Sequence, residues 1–280
     1  MDRTGWRLAR WLTRAAAGGT LRIINFHGVC PDRMRDAPWM PSHYVTQSAL
    51  DRHLDAMRRR GTIVHLRDVL PELRPGRGWR EPLYAVTFDD APANLIPLAL
   101  PVLDAYGVRG TIFAVTDLLD DGGILPNDRR RMAGAGSPQP ELLRHMTWDE
   151  ADVVVRSGHW LGAHTRTHAI LSHAGEAARR DEIAGSIEAI RSRYGTDDVP
   201  FAFPNGLAGD FDESDISLLR ELHVPLACTG IAGANRPPVD LLRLRRNAVG
   251  LHHGRAAFSA EMWGLRDWRH VEQPKVAACT

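Results

Sequence analysis

Residues 84–90 read Tyr-Ala-Val-Thr-Phe-Asp-Asp, an apolar run that ends in two adjacent carboxylates. The run from Tyr84 to Phe88 predicts a buried strand. Asp89 and Asp90 follow it at once, and neighbouring carboxylates repel each other unless a cation or a proton lies between them. An Asp-Asp pair is also common in turns. Because a buried strand precedes this pair, the stretch favours a metal site.

The rest of the chain repeats the same alternation of apolar and amphipathic runs. Further strands are predicted at 21–26, 111–115, 160–163, 201–203 and 225–228. Helices are predicted at 48–60, 95–106, 147–157, 175–194 and 214–223, with a capping box formed by Thr147 and Glu150. Segments 71–79 and 120–140 are rich in Gly and Pro and predict surface loops. The alternation indicates an α/β fold with a parallel sheet, of the size of one barrel-like domain.

Composition and charge limit the function classes. The 280 residues are 44% hydrophobic and 25% charged, as in an ordinary globular protein, and the net charge of +1 provides no general attraction for nucleic acid. Three scattered cysteines indicate neither a disulfide scaffold nor structural zinc. No apolar run reaches 18 residues and no secretory signal is visible, so we expect a cytoplasmic protein.

The two ends of the chain differ from its middle. Residues 1–20 form a basic amphipathic pattern, with arginines on one helical stripe and apolar residues opposite. Such a helix packs against the protein's own body or lies on an anionic membrane surface, which leaves peripheral contact with the inner membrane as an expectation. We therefore divide the chain into this helix, a catalytic domain over 21–270 and a tail over 271–280.

Polar residues follow the predicted strands at the point where each strand ends. These residues are His27, Asp89, Asp90, His164, Asn205 and Thr229. In parallel α/β folds the carboxyl ends of the strands meet at one rim, where catalytic groups are mounted. Helix capping is the alternative role. It explains Asn205 well, but it explains a pair of carboxylates and two histidines poorly.

Residues 164–168 read His-Thr-Arg-Thr-His and place two imidazoles four positions apart. This spacing alone is a weak signal for a metal site. Together with Asp90, however, His164 and His168 complete a set of two histidines and one carboxylate. Such a set leaves open positions for water and substrate on a divalent metal.

The order and spacing of several motifs resemble those of the polysaccharide deacetylases, the NodB-homology enzymes of carbohydrate esterase family 4. The resemblance covers residues 21 to 250. It rests on the segments 87–90 (Thr-Phe-Asp-Asp), 111–113, 146–149, 162–168 and 201–206. Residues 25–29, Asn-Phe-His-Gly-Val, stand where a bacterial branch of the family has a strand with Tyr-His-Arg-Val. The resemblance implies a distorted (β/α)7–8 barrel.

The resemblance also implies a metal centre and roles for the residues around it. Asp90, His164 and His168 would hold a divalent metal, most commonly Zn2+ and in some members Co2+ or Ni2+. Asp89 would act as the general base on the water at the metal, which makes physical sense because the cation acidifies that water. The backbone N–H at Asn205 would stabilise the oxyanion.

The general acid is open at this level. In the similar branch a histidine on the first strand supplies the proton, which indicates His27. His252 and His253 are the competing candidates, because other members carry their acid near that part of the chain. We prefer His27 because it ends a clear strand at the inferred rim.

Three positions depart from the family pattern. Ala91 replaces the usual Gly, Asn205 replaces a common Tyr, and Ala202 stands where many members have the Arg that binds the catalytic base. Arg243, Arg245 or Arg246 could replace that Arg from the last strand region. The alternative is that these three arginines lie on the surface.

The resemblance implies a metal-dependent hydrolase that removes an N-acetyl group from an amino sugar of a glycan or glycan precursor. Two alternatives remain. The departures at positions 91, 202 and 205 suggest an amidohydrolase of a small non-sugar amide, formamide or imide. The basic N-terminus suggests an inactive, glycan-binding member of the family. No residue is singled out for binding the sugar.

Overall fold

The computed structural model describes residues 19–68, 81–133, 138–236, 239–265 and 267. Six strands form most of its main sheet. They are β1 (Leu21–Phe26), β5 (Leu83–Phe88), β6 (Thr111–Ala114), β7 (Trp160–Ala163), β8 (Phe201–Ala202) and β9 (Ala227–Cys228). All six predicted strands are therefore confirmed, with ends that differ by no more than two residues.

Four further strands were not predicted from the sequence. They are β2 (Val29–Cys30), β3 (Val45–Thr46), β4 (Thr62–Ile63) and β10 (Arg246–Ala248). The first three have two residues each, too few for a hydrophobic pattern to be visible. β10 consists of arginine, asparagine and alanine, which are not typical strand residues.

The main sheet is parallel and nearly closes into a barrel. Its strand order is β10-β1-β5-β6-β7-β8-β9, and β4 pairs with the start of β5. At the remaining gap, Leu244 forms a parallel bridge with Cys228 of β9 two residues before β10 begins. Helices surround this sheet, so the structure is a distorted (β/α) barrel, as expected.

Eight α-helices lie in the described part of the chain. They are α1 (Gln47–Arg58), α2 (Leu95–Leu98), α3 (Leu100–Ala105), α4 (Pro126–Ala133), α5 (Trp148–Arg156), α6 (Glu176–Tyr194), α7 (Glu213–Glu221) and α8 (Arg255–Met262). The predicted capping box is confirmed at α5, where Thr147 and Glu150 each accept a hydrogen bond from the other's backbone N–H. None of the helices in the described ranges is both long and apolar enough to span a bilayer.

Two predictions about helices and loops were wrong, and one helix was not predicted. The helix predicted at 95–106 is two helices, because Pro101 has no N–H to donate to the preceding turn. The segment 120–140 is not only a loop, since it contains α4, which begins at Pro126, a residue suited to a first helical turn. α8 was missed altogether. The predicted loop at 71–79, most of the N-terminal helix and the C-terminal tail lie outside the described residues.

The pairing of β1 with β5 positions the site. The two strands are in register from Leu21 opposite Leu83 to Phe26 opposite Phe88, and all twelve residues are buried. The next residue of each chain segment is therefore a polar one at the same edge of the sheet, His27 after β1 and Asp89 after β5. The apolar strands thus fix where these side chains leave the core.

Candidate active site

The polar residues that follow the strands line one cavity of about 640 Å³. Those expected at the rim and found there are His27, Asp89, Asp90, His164 and Asn205, and His168 joins them from the loop after β7. A cavity of this volume is in the range of ordinary small-molecule sites. The strand ends therefore bring together every residue that the motifs singled out for chemistry.

Asp90, His164 and His168 form a cluster with the geometry of a metal site. One ligand atom from each lies within 4.8 Å of the other two. Asp90 Oδ1 is 3.6 Å from His164 Nε2 and 3.3 Å from His168 Nε2. Ligand bonds of about 2.1 Å in a tetrahedral site space the ligand atoms about 3.4 Å apart. Two imidazoles and a carboxylate are donors that suit zinc.

The hydrogen bonds around this cluster leave the atoms that would bind a metal without other partners among the described residues. His164 Nδ1 is 2.7 Å from the carbonyl oxygen of Ala202, which can only accept, so Nδ1 carries the proton and Nε2 has a free lone pair. Asp90 Oδ1 is buried and has no hydrogen-bond partner among the described residues. An unsatisfied buried carboxylate oxygen is costly, and a cation would compensate for it. The residues present therefore fit a divalent metal.

Burial and charge act in opposite directions on the pKa values of this cluster. Burial lowers the pKa of His164, although Asp89 and Asp90 raise it. Burial raises the pKa of Asp90, but the charges of the neighbouring histidines, His168 foremost, outweigh it and hold this pKa well below its usual range. A neutral imidazole and an ionised carboxylate are the forms that bind a metal.

The backbone at the metal cluster adopts a conformation that most residues avoid. Asp90, Thr165, His168 and Asn205 have φ angles of 68°, 62°, 65° and 55°, in the left-handed region. Such residues cost free energy and persist only where the surroundings hold them, typically at functional sites. The cluster is thus placed by sharp turns at the ends of the strands.

Contacts from α6 hold the turn between the two histidines. Glu182 Oε2 accepts hydrogen bonds from the backbone N–H groups of Arg166 and Thr167, at 2.9 and 3.0 Å, and Oε1 accepts one from the Thr167 hydroxyl. Arg166 in turn binds Asp117. Sequence reasoning did not find Glu182, because nothing in its own helix marks it as different from the other acidic residues there.

Asp89 is held by a buried network rather than by the metal cluster. Arg246 Nη1 and Nη2 donate to its two carboxylate oxygens at 2.6 and 2.8 Å, and Asn25 Nδ2 donates to Oδ2 at 2.9 Å. Burial raises the pKa of Asp89, but the charge of Arg246 outweighs it and the pKa is lowered to about 2. Of the three arginines proposed to replace the missing family Arg, Arg246 is the one in this position.

His27 lies beside Asp89, whereas the competing histidines lie elsewhere. His27 Nε2 is 4.0 Å from Asp89 Oδ2, and burial lowers the pKa of His27. His252 and His253 do not line the catalytic cavity. The ring of His253 accepts a hydrogen bond from the Gly250 backbone and lines a separate, smaller cavity.

Asn205 lines the cavity through a turn that packs against the next strand. A Cβ at Gly230 would lie 2.0 Å from the Asn205 carbonyl oxygen, so only glycine permits this close approach. The Asn205 backbone N–H has no acceptor within the described part of the chain. It is therefore free to donate to a ligand.

Three further ionisable side chains, which the sequence did not single out, line the cavity. His43 packs against His27 with ring centroids 4.6 Å apart and ring planes tilted by 55°, and burial lowers the pKa of His43 to about 4. Asp128 and Arg131 come from α4 and form a long ion pair of 3.8 Å. Burial raises the pKa of Asp128. Asp128 and Arg131 could have been found only by predicting a helix within segment 120–140, and that segment was predicted to be a loop.

Solved structures with the same fold include a deacetylase and a de-N-acetylase. A deacetylase of Streptococcus pyogenes, PplD in complex with acetate, superposes with a TM-score of 0.68 at 17% identity, over 88% of this chain and 99% of that one. IcaB from Ammonifex degensii gives 0.65 at 20% identity, over 88% and 97%. A de-N-acetylase from Aggregatibacter actinomycetemcomitans gives 0.68 at 15% identity, over 86% and 99%. At these identities the likeness shows the fold.

Sequence comparison identifies the family. The comparison with curated proteins gives no match. The family model described as polysaccharide deacetylase matches residues 77–225, which include Asp89, Asp90, His164, His168 and Asn205. Because this match spans more than half of the sequence, the chain belongs to the polysaccharide deacetylase family.

Proposed function

We propose that the protein removes the N-acetyl group from an amino sugar of a glycan or glycan precursor, with a divalent metal held by Asp90, His164 and His168. One observation carries this proposal. Two imidazoles and a carboxylate meet in one cavity with a second carboxylate, Asp89, that a buried arginine keeps ionised. The volume of about 640 Å³ suits a sugar ring and part of its neighbour better than a small amide.

When bound, the cation would polarise the amide carbonyl and lower the pKa of water at the site toward neutrality. Zn2+ is the metal we propose first, and Co2+ or Ni2+ suits the same donors. His164 contributes Nε2 because the Ala202 carbonyl fixes the proton on Nδ1. His168 and Asp90 contribute Nε2 and a carboxylate oxygen from the turns after β7 and β5.

Asp89 would take a proton from the attacking water on a carboxylate oxygen. Its bidentate contact with Arg246 fixes the carboxylate plane. Because Oδ2 also accepts from Asn25, Oδ1 is the oxygen that keeps a lone pair for that proton. The water oxygen forms the new C–O bond while the C–N bond of the amide breaks. The Asn205 backbone N–H would donate to the carbonyl oxygen as negative charge develops there.

His27 would return the proton to the departing nitrogen. Its Nε2 lies 4.0 Å from Asp89 Oδ2 and faces the same cavity, so a proton can pass from the base to the leaving amine through this ring. The second proton of the water leaves the new carboxyl group and also ends on the nitrogen, so the products are acetate and the amino sugar as its ammonium ion, and the protein returns to its starting protonation state. His27 thus closes the proton balance of the reaction.

The test compares His168→Asn with His173→Asn, an exposed histidine five positions away. After dialysis against metal-free buffer, we expect about one divalent metal per chain in the wild type and in the control, and a large loss in His168→Asn, measured by plasma mass spectrometry. Acetate release from an N-acetylglucosamine oligomer should fall with the metal. His168→Asn protein that keeps both metal and activity would contradict the proposal. Release from small amides alone would redirect it to another substrate.

A further inference from the structure

A second cavity lies on the barrel next to the catalytic one. Its volume is about 80 Å³, enough for a few water molecules or one tetrahedral anion and too small for a sugar ring. It lies between α1 and α8. The segment 250–254 forms one wall and leads back to Ala248, which lines the catalytic cavity.

The walls of this cavity are basic. Arg35, Arg52 and Arg255 line it, and none of its described lining residues is acidic. Arg35 donates to the Leu251 carbonyl oxygen at 3.2 Å and Arg52 to the Ser48 hydroxyl at 2.9 Å, which leaves each guanidinium with further N–H donors. Asp32 accepts a hydrogen bond from Ser48 and compensates part of this charge. A net positive charge remains.

Two helices begin at the same cavity. Thr46 is the N-cap of α1 and Gly254 is the N-cap of α8, and both line it. Neither helix has an acidic residue in its first turn, and Gly254 provides no side-chain cap. At α1 these groups are partly taken, because Thr46 Oγ1 accepts from the Ala49 N–H and Asp32 Oδ2 accepts from the Ser48 N–H. At α8 no side chain caps the first N–H groups, and a helix N-terminus of this kind, with its partial positive charge, favours an anion.

A buried ring nitrogen without a partner among the described residues supports a ligand here independently of the charges. His53 lines the cavity, is only 3% exposed and is stacked on Phe258, with ring centroids 3.9 Å apart. Its Nδ1 has no hydrogen-bond partner among the residues that the structure describes. Hydrogen phosphate has both a P–O–H donor and P–O⁻ acceptors, so it can pair with this nitrogen in either tautomer.

We propose that this cavity binds a phosphate group, through Arg52, Arg255 and the start of α8. The inference does not depend on the deacetylase activity. It adds a second binding site to a barrel whose net charge of +1 gives no general attraction for anions. The linings of the two cavities are linked through the backbone, because the Leu251 N–H at the smaller cavity donates to the carbonyl oxygen of Ser42, next to His43 of the catalytic cavity.

Calorimetric titration of inorganic phosphate into the full-length, metal-loaded protein tests the site. We expect Arg52→Gln and Arg255→Gln each to weaken binding about tenfold or more, because each removes a charged hydrogen-bond donor. Arg58→Gln is the matched control, since Arg58 lies on α1 near Asp55 and Tyr106 and does not line the cavity. Any binding of phosphate to the catalytic metal should be the same in all three variants, so differences between the variants report on the second cavity.

Equal phosphate affinity in Arg52→Gln, Arg255→Gln and Arg58→Gln would overturn the proposal, as would the lack of measurable binding to the wild type. Both cavity arginines are exposed, so we expect the unfolding temperatures to stay the same, which separates a lost site from a lost fold.

A kinetic comparison, which rests on the proposed function, shows whether the phosphate group belongs to the substrate or is free phosphate. Two N-acetylglucosamine oligomers serve as substrates, one neutral and one with a terminal phosphate. A higher KM of Arg52→Gln for the phosphorylated oligomer alone would assign the site to the substrate. Unchanged KM values together with lost phosphate binding would assign it to free phosphate. The titration needs no turnover, so failure of the deacetylase proposal would leave the result on the site intact.

Discussion

Arg246 binds both carboxylate oxygens of Asp89 from 157 residues away along the chain, and both side chains are almost completely buried. The pair joins β10 to the end of β5 and thereby links the closing strand of the barrel to the proposed base. Removing one partner of such a pair leaves an uncompensated buried charge, whereas the intact pair adds little to stability by itself.

Arg246→Met should therefore affect both folding and catalysis. We expect the free energy of unfolding to fall by about 3 to 5 kcal/mol in urea titrations, because the Asp89 carboxylate loses its counter-charge. Arg246→Lys keeps a positive charge but cannot make the bidentate contact. It should retain most of the stability and the metal, while kcat for acetate release falls by about tenfold or more. Wild-type kcat in Arg246→Lys would show that the orientation of Asp89 is unimportant.

Glu182 should control metal affinity without touching the metal. Glu182→Ala removes the acceptor for two backbone N–H groups of the turn between His164 and His168. We expect the metal to bind about 10 to 100 times more weakly, the usual effect of removing an outer contact to ligands. Competition with a chromogenic chelator measures this change.

Glu188→Ala is the matched control for that comparison, because Glu188 lies on the same helix, is exposed and contacts Ser192 instead. Glu182→Gln retains one carbonyl acceptor and should have an intermediate affinity. If Glu182→Ala and Glu188→Ala bind the metal equally well, then the turn holds its shape without α6.

Asp128 should influence substrate binding more than the chemical step. Asp128 lines the cavity from α4, is 7% exposed, and its carboxylate has a long ion pair with Arg131 as its one side-chain contact among the described residues. A buried carboxylate with so few partners is well suited to accept hydrogen bonds from sugar hydroxyls. We expect Asp128→Asn to raise KM for an N-acetylglucosamine oligomer several-fold with kcat nearly unchanged. A fall in kcat at constant KM would instead place Asp128 in the proton transfer.

Some parts of the fold and site were visible in the sequence and others were not, for physical reasons. The strands before Asp89 and His164 are buried on both faces, so they are continuous apolar runs that stand out locally. Arg246 also belongs to a strand, but it is buried because it pairs with Asp89, which is distant in sequence. From the local sequence alone, a place on the surface was as good an interpretation as a place in the site. His43 and Asp128 were missed because their position depends on how β3 and α4 pack over the barrel.

The stability of the fold should also depend on pH through a histidine remote from the site. His159 is 4% exposed and its Nδ1 accepts a hydrogen bond from the Gly110 backbone N–H at 3.0 Å, which requires a neutral ring. Burial, aided by the charge of Arg109, lowers the pKa of His159 to about 4. The unfolded chain takes up a proton near pH 6.5, whereas the folded chain does not until about pH 4.

Because only the unfolded state gains this proton between those values, the contribution of His159 to stability falls as the pH decreases from about 6.5 to about 4 and is constant below. The loss amounts to about 1.4 kcal/mol per pH unit, up to about 3 kcal/mol. His159→Asn keeps an oxygen near the position of Nδ1 and removes the titration. The free energies of unfolding of the wild type and of His159→Asn are measured in urea at pH 7.5, 6, 5 and 4. As the pH falls, the variant should become more stable relative to the wild type. A difference that stays constant with pH would mean that the His159 ring is protonated equally in both states.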